Sequence, residues 1–172
     1  ETGLTEGRRA TVENAKKAAD MGVDMIVLTG NPGVGVDNKA ITKALADLNE
    51  AVGDRVILTA GKMHASGILS EAGEKILTKE DAETFIEAGA DVLLLPAPGT
   101  VPGFTMEHAA ELIKTAHEKG VLAMTTIGTS QEGADEATIR QIALMCKMAG
   151  ADIHHIGDSG YMGMALPENI TA

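Results

Sequence analysis

The chain has 172 residues, enough for one domain, and its 14 basic against 25 acidic side chains give a formal net charge of −11. This charge disfavours nucleic acid as a partner, because an acidic surface repels a phosphate backbone. No apolar run approaches the ~20 residues that a membrane-spanning helix needs, and the first residues lack the basic-then-apolar pattern of a signal peptide. The single cysteine, Cys146, lies within a helical pattern and is expected to be a core residue. The sequence therefore predicts a cytoplasmic protein without membrane contact or disulfides.

A short apolar segment followed by a glycine-containing loop recurs five times along the chain. The segments begin near residues 25, 56, 92, 121 and 153. Their spacing of about 32 residues is what a strand, a loop, a helix and a return loop require. Within each segment the apolar residues are continuous, as expected for strands that helices cover on both faces of a parallel sheet. Functional residues are then expected in the loops after the carboxyl ends of the strands.

Two arrangements of five such units are open. In a TIM (β/α)8 barrel the strands are neighbours in strict chain order, whereas a five-strand doubly wound, flavodoxin-like sheet reverses its order once. The chain also begins without Met, in a loop that leads to a helix and not to a strand. We therefore expect the chain to be incomplete at this end. Uncovered sheet edges would favour a homo-oligomer.

The loop after the first predicted strand, residues 25–29, has glycines at the spacing of a nucleotide-binding P-loop. However, Val36 and Asp37 stand where Lys and Ser or Thr would contact phosphate and magnesium. ATP binding is therefore not expected. We predict a tight turn that presents the Asn31 amide to a pocket.

The second strand ends at Gly61 and is followed by Lys62 and His64. An amine among apolar strands is partly desolvated, which favours a neutral nucleophile or leaves a strong anchor for an anion. Strand alternation would place His64 on the same side as Lys62. The alternative is a lysine that extends along the surface and keeps its charge in water.

Hydrogen-bond donors follow the fourth strand. Gly128, Thr129, Ser130 and Gln131 bring backbone N–H groups, hydroxyls and an amide to one loop. Such groups can surround an anion. The sequence therefore predicts that this loop contributes to substrate binding.

Adjacent histidines lie in the fifth strand. Because successive strand side chains point to opposite faces, His154 and His155 cannot both face one site, and His155 is the candidate. The loop that follows contributes four more candidate binding residues: Gly157, Asp158, Ser159 and Gly160. Its glycines allow a ligand to approach the backbone closely. Asp158 would repel a phosphate, so we expect it to turn toward a ligand hydroxyl, a backbone N–H or a basic side chain.

Four motifs in this order resemble a poorly characterised bacterial family of TIM-barrel proteins: residues 61–64, 98–104, 127–131 and 155–161. Members of that family are labelled phosphonomutase-like or haloacid-dehalogenase-like. The resemblance covers nearly the whole chain and implies that its strands are the last five of an eight-stranded barrel. Residues 1–172 would then be a single (β/α) barrel domain that is incomplete at both ends. The dehalogenase label does not fit, because the Asp-x-Asp nucleophile motif is missing from this sequence. The phosphonomutase label fits the fold but not the catalytic motif, since no Lys-Lys-Cys-Gly-His loop is present.

Together these residues predict a TIM-barrel enzyme that binds a small phosphorylated or carboxylated metabolite. We expect lyase or isomerase chemistry on a carbonyl compound, with Lys62 as electrophile or Schiff-base former and with His64 and His155 as acid and base. The loops after the fourth and fifth strands would bind the anion, as the last strand-end loops of such barrels often do. No cofactor is evident in these residues, and a divalent metal would need ligands from missing segments.

Two other functions are compatible with the same sequence. One is an enzyme similar to phosphoenolpyruvate mutase that acts on a C–C or P–C bond. The other is a non-catalytic module for metabolite binding or assembly, because a barrel can keep its fold without any chemistry.

Overall fold

The computed structural model describes residues 5–31, 35–65, 68, 70, 72–129, 131–157 and 165–172. Helices and strands alternate along the chain in the order α1 (Val12–Asp20), β1 (Met25–Thr29), α2 (Asn38–Val52), β2 (Ile57–Gly61), α3 (Lys79–Glu87), β3 (Val92–Pro96), α4 (Met106–Glu118), β4 (Leu122–Ile127), α5 (Glu136–Ala149), β5 (Ile153–Ile156) and α6 (Pro167–Thr171). Short 3-10 helices cover Glu6–Arg8, Gly73–Ile76 and Gln131–Gly133. Each predicted strand is present and begins within one residue of its predicted start.

The five strands form one parallel sheet in the order β1-β2-β3-β4-β5. Met25 pairs with Ile57 at one end of the sheet, and Met124 pairs with Ile153 at the other. The sequential order confirms the prediction of a TIM-barrel arrangement. It excludes the flavodoxin-like alternative, in which one strand would be out of chain order.

The helices pack on one side of this sheet, which we call the helix-facing side. Helix α2 shows why, because its four buried apolar residues, Ile41, Leu45, Leu48 and Val52, recur at helical spacing and form one stripe. They belong to a core cluster with Leu58, Ala60, Leu93, Leu95 and Ala123 of the strands. The sheet therefore buries alternate residues of each strand against the helices.

The opposite side of the sheet, which we call the inner face, carries a second apolar cluster. Val92, Leu94 and Met124 are its buried members, and Met25, Met63 and Ile153 pack against them. Alternation places Val27, Ile57 and Leu122 on the same face, where they are 42%, 44% and 48% exposed. The inner face is thus apolar along much of its length.

Side chains before the helices set their starting points. Thr78 forms a capping box with Asp81 at the start of α3, and the Thr105 hydroxyl accepts the His108 N–H at the start of α4. In both cases a threonine before the helix satisfies an N–H that lacks a helical partner. The caps fix where each strand-end loop stops, and therefore how long it is.

A repeated Gly-Ala-Asp segment joins two helices to the strands that follow them. Gly89 and Gly150 end α3 and α5 with φ of 107° and 100°, a region that glycine enters without a steric penalty. Two residues later, Asp91 Oδ2 accepts the Leu58 N–H and Asp152 Oδ2 accepts the Ala123 N–H, both at 2.8 Å. Each aspartate therefore ties its strand to the preceding one at the amino end of the sheet. Among the described residues, no helix is long and apolar enough to cross a membrane.

Candidate functional site

The site predicted from the sequence lies at the carboxyl ends of the strands. Lys62 follows β2 directly and is only 2% exposed. This burial excludes the alternative of a lysine that extends along the surface. Gly30, at the end of β1, makes room for it, because a Cβ atom at Gly30 would lie 3.0 Å from Lys62 Cγ and 3.1 Å from Ile41 Cδ1. The aliphatic part of Lys62 therefore lies on the helix-facing side, beside helix α2.

A very close approach of two strands precedes this lysine. A Cβ atom on Gly61 would lie 1.8 Å from the carbonyl oxygen of Leu94 in β3. No other residue type fits that position without a backbone shift. The position of Lys62 thus depends on the glycine before it.

Met63 points the other way. It packs against the cluster on the inner face, and a Cβ atom on Gly128 would lie 2.7 Å from its Sδ atom. The thioether therefore covers the backbone at the end of β4. His64 follows and is partly buried.

His155 is on the inner face, and a neighbouring hydroxyl holds it. Its Nδ1 atom lies 2.7 Å from Oγ1 of Thr126, which is 1% exposed. The preceding pair repeats this contact on the helix-facing side, where His154 Nδ1 lies 3.2 Å from Thr125 Oγ1. The structure confirms that the two histidines face opposite sides of the sheet.

The structure consequently separates two of the three candidate catalytic groups. The stem of Lys62 lies between β1 and α2, whereas His155 lies on the inner face near β4. The catalytic roles of Lys62, His64 and His155 stay predictions.

Asn31 forms an isolated antiparallel bridge with Val36 after β1. Its backbone N–H and C=O pair with the C=O and N–H of Val36, both at 3.1 Å. Asn31 is partly buried. The tight turn predicted for this loop includes residues 32–34, which lie outside the described residues, and the role of the amide stays a prediction.

The loop after β4 is tied to the loop after β3. The Thr129 hydroxyl lies 2.7 Å from both the Thr100 carbonyl oxygen and Gln131 Oε1, and it has one hydrogen to share between them. Gln131 Nε2 donates to the same Thr100 carbonyl at 3.1 Å. The polar side chains of Thr129 and Gln131 therefore order the loop, in addition to any contact they make with a ligand.

Two of the predicted binding residues come together between β4 and β5. The Gly157 N–H donates to the Ile127 carbonyl at 2.7 Å, and a Cβ atom on Gly157 would lie 3.5 Å from Gly128 Cα. Four other predicted residues, Ser130, Asp158, Ser159 and Gly160, lie outside the described residues.

Glu132 is a residue of this region that the sequence did not single out. It is 8% exposed, and its Oε1 atom lies 3.9 Å from the position of a Cβ atom on Gly157. The side chain of Asn169 in helix α6 donates to the backbone carbonyls of Glu132 and Ala134 at 3.0 and 2.8 Å, and so packs α6 against this loop. A glutamate in a polar loop is normally expected to be exposed. The sequence signal that could have identified Glu132 as a candidate was its position before a glycine in the strand-end loop.

Two cavities extend beyond the strand-end loops. One of about 260 Å³ lies between β4, β5, α5 and α6, and it is lined by residues that include Cys146, His154 and the candidate His155. Another of about 530 Å³ lies at the amino end of the sheet. In TIM barrels the amino end serves stability, and the active site is at the carboxyl end. The described residues contain no group of three or more His, Cys, Asp or Glu side chains that could hold a metal ion.

Solved structures of several enzymes share this fold. An archaeal fructose-1,6-bisphosphate aldolase, whose catalytic Lys is covalently bound to the carbinolamine intermediate of its substrate, matches with a TM-score of 0.62 and 19% identity over 91% of this chain and 59% of its own. Deoxyribose phosphate aldolase from Aeropyrum pernix matches with a TM-score of 0.58 and 24% identity, over 86% of this chain and 58% of its own. A candidate phosphonomutase from Burkholderia cenocepacia J2315 matches with a TM-score of 0.58 and 19% identity, over 84% of this chain and 65% of its own.

These likenesses show the fold alone. The chain spans about three fifths of the length of the aldolases it matches. The candidate phosphonomutase agrees with the phosphonomutase-like label of the family that the sequence resembles. None of these three structures is a haloacid dehalogenase. Incompleteness at both ends stays a prediction.

Sequence comparison adds a family. No curated protein matches the chain. One family model matches residues 1–172, and it is described as a domain of unknown function, DUF7916. The chain, with its parallel TIM-barrel sheet and buried strand-end lysine, therefore belongs to the DUF7916 family.

Proposed function

We propose that this chain forms part of a TIM-barrel lyase or isomerase that acts on a small carbonyl metabolite carrying a phosphate or carboxylate group. The observation that carries the proposal is the position of Lys62, which is 2% exposed directly after β2. A lysine at the carboxyl end of a barrel strand is where such enzymes place reactive groups. Aldolases that share the fold, one of them with a covalent lysine intermediate, support the same chemistry.

The proposed reaction begins at the Lys62 amine. The neutral form of the amine can add to a carbonyl carbon to give a carbinolamine. Loss of water then gives an imine, which withdraws electrons from the neighbouring bond that is to be cleaved or isomerised. For this chemistry the Lys62 amine and His155 must reach the same ligand, although the Lys62 stem lies beside Gly30 and His155 lies on the inner face.

A proton must be supplied and removed at the ligand. We assign this role to His155 or His64. With the Nδ1 atom of His155 directed at the Thr126 hydroxyl, its Nε2 atom is the nitrogen that can exchange a proton with a ligand.

The anionic group of the metabolite is assigned to the loops after β4 and β5, with Asn31 at the rim of the site. The proposed binding residues are Gly128, Thr129, Ser130, Gln131, Gly157, Asp158, Ser159 and Gly160. Support comes from the close approach of Gly128 and Gly157. A divalent metal, a homo-oligomer and a cytoplasmic location stay predictions.

Borohydride trapping tests the proposal. The intact protein is incubated with a panel of carbonyl compounds, among them dihydroxyacetone phosphate, glyceraldehyde 3-phosphate and pyruvate, and then reduced. Peptide mass spectrometry should find the reduced adduct on Lys62 with one or a few of these compounds, and Lys62→Met should abolish it. Exposed Lys43, which pairs with Asp47, serves as an internal control. Labelling of Lys43 and other exposed lysines with Lys62 unmodified would refute the Schiff-base assignment.

A further inference from the structure

Glu132 is a buried carboxylate, and one of its oxygens receives no hydrogen bond from the described residues. The residue is 8% exposed, and its Oε2 atom has no hydrogen-bond partner among the described residues. A buried charged oxygen without a partner is costly, and such groups in folded proteins generally have a functional reason. The backbone of Glu132, in contrast, does have a structural contact, because its carbonyl accepts from Asn169.

Other acidic side chains near the sheet stabilise the fold through hydrogen bonds, and they can be compared with Glu132. Asp91 accepts the Leu58 N–H, Asp152 accepts from both His117 and Ala123, and Asp81 caps helix α3. Each of these carboxylates binds a donor from a neighbouring element. Glu132 differs, since it is buried as deeply as the core yet contributes no such contact through Oε2.

The carboxylate of Glu132 lies close to Gly157, which directly follows β5. The position of a Cβ atom on Gly157 lies 3.2 Å from the Ile127 carbonyl oxygen, 3.5 Å from Gly128 Cα and 3.9 Å from Glu132 Oε1. The Ile127 carbonyl already accepts the Gly157 N–H at 2.7 Å, so Glu132 brings a further hydrogen-bond acceptor to this place. Acceptors attract a hydroxyl or an ammonium group and repel an anion.

We propose that Glu132 binds a hydrogen-bond donor of the metabolite, a hydroxyl or a protonated amine, beside Gly157 at the end of β5. This inference rests on the proposed function, in which the metabolite also carries an anionic group. The ligand class is therefore a phosphorylated or carboxylated compound with a hydroxyl or amino substituent. Within the two loops the anion must then bind away from Glu132 and Gly157, at the other proposed residues, because two negative groups close together in a buried site repel each other.

The first test measures the free protein. Glu132→Met keeps the length of the side chain but removes both oxygens. If the carboxylate serves a ligand and not the fold, the intact Glu132→Met protein should unfold at the same temperature as the wild type or higher, because an unpartnered buried charge has been removed. Glu136→Met is the matched control, since Glu136 is exposed and pairs with Arg140. A marked fall in the unfolding temperature of Glu132→Met alone would overturn the inference.

The second test measures ligand selectivity by calorimetric titration. Three phosphate esters of equal chain length serve as probes: n-propyl phosphate, 3-hydroxypropyl phosphate and 3-aminopropyl phosphate. The wild type should bind the hydroxyl or the amino ester about tenfold more tightly than the propyl ester, as a hydrogen bond to a charged group predicts. Comparison of the hydroxyl and amino esters identifies which donor is preferred. Glu132→Met should lose the preference and keep its affinity for the propyl ester, and Glu136→Met should behave as the wild type.

The outcomes separate the two proposals. Equal affinity for all three esters, in wild type and Glu132→Met alike, would overturn the role of Glu132 and leave phosphate binding in place. Tighter binding of the plain propyl ester by Glu132→Met, with no donor preference in the wild type, would instead mean that an anion sits next to this carboxylate, and would also overturn the inference. A wild type that binds none of the esters would refute the phosphate-binding proposal and the inference together.

Discussion

His155 Nδ1 and Thr126 Oγ1 are 2.7 Å apart on the inner face of the sheet, in adjacent strands. Thr126 is 1% exposed, so its hydroxyl cannot exchange this contact for one with bulk water. The pair therefore fixes the orientation of the imidazole ring. It also decides which ring nitrogen is available to a ligand.

We expect Thr126→Val to release this ring. The substitution keeps the shape of the side chain and removes one hydrogen bond, which costs about 1 kcal/mol of stability. In long-range 1H–15N spectra the signals of His155 should move toward a mixture of tautomers. Thr125→Val is the control, because Thr125 makes the equivalent contact with His154 on the opposite side. Signals of His155 that do not change in Thr126→Val would show that the hydroxyl does not set its tautomer.

Gly61→Ala should be strongly destabilising. The new Cβ atom would lie 1.8 Å from the Leu94 carbonyl oxygen, so β2 and β3 would have to separate. Overpacking of this kind costs about 1–3 kcal/mol or more, and urea unfolding measures it. Gly7→Ala is the matched control, since a Cβ atom there meets nothing within 4 Å. Equal stability of the two variants would contradict the close approach of the strands.

The pair formed by His117 and Asp152 should make stability depend on pH. Burial raises the pKa of the Asp152 carboxyl, but the hydrogen bonds from His117 and from the Ala123 N–H together outweigh it, and the net pKa is lowered. A lowered pKa in the folded state means that the carboxylate stabilises the fold above about pH 4, the ordinary value in an unfolded chain. That contribution is lost as the pH falls through the folded pKa.

Asp152→Asn should therefore cost about 0.5–1 kcal/mol at pH 7, a small value because the side chain is partly exposed. The difference from the wild type should shrink as the pH falls below about 4. Urea unfolding at a series of pH values measures it. Asp47→Asn, which removes only an exposed pair with Lys43, is expected to change stability by less than about 0.5 kcal/mol. A difference at Asp152 that is constant from pH 7 to pH 3 would rule out the charged contact.

Cys146 should be unreactive in the folded protein. It is 1% exposed, and burial raises the pKa of its thiol, although the Thr125 hydroxyl acts in the opposite direction. Both the low exposure and the small thiolate fraction slow attack on a disulfide reagent. Labelling with a chromogenic disulfide should be slow in buffer and complete in urea. Full labelling of the native protein within minutes would place Cys146 at an accessible site.

The repeat in the sequence was sufficient to place the strands, but it left their order in the sheet open. Apolar segments near residues 25, 56, 92, 121 and 153 predicted five parallel strands, and the strands begin at 25, 57, 92, 122 and 153. Backbone hydrogen bonding and side-chain periodicity are local properties, so they can be derived from short stretches of sequence.

The candidate site was only partly predictable. Its location at the strand ends followed from the fold, and the separation of His154 from His155 followed from strand alternation. For Lys62, however, the pattern of β2 does not indicate which side of the sheet the side chain occupies. That side is decided by the space above Gly30 and by Ile41 of helix α2, and both belong to units that precede Lys62 in the chain.

Glu132 shows most clearly what only the tertiary structure decided. In the sequence it is one acidic residue of a polar loop, where exposure is the expectation. In the structure its carboxylate lies near Gly157, and its backbone carbonyl accepts from Asn169, which lies 37 residues further along the chain. Periodicity determines how each segment folds, but the burial of a loop side chain depends on contacts between segments that are distant in sequence, and these form only when the whole sheet and its helices have assembled.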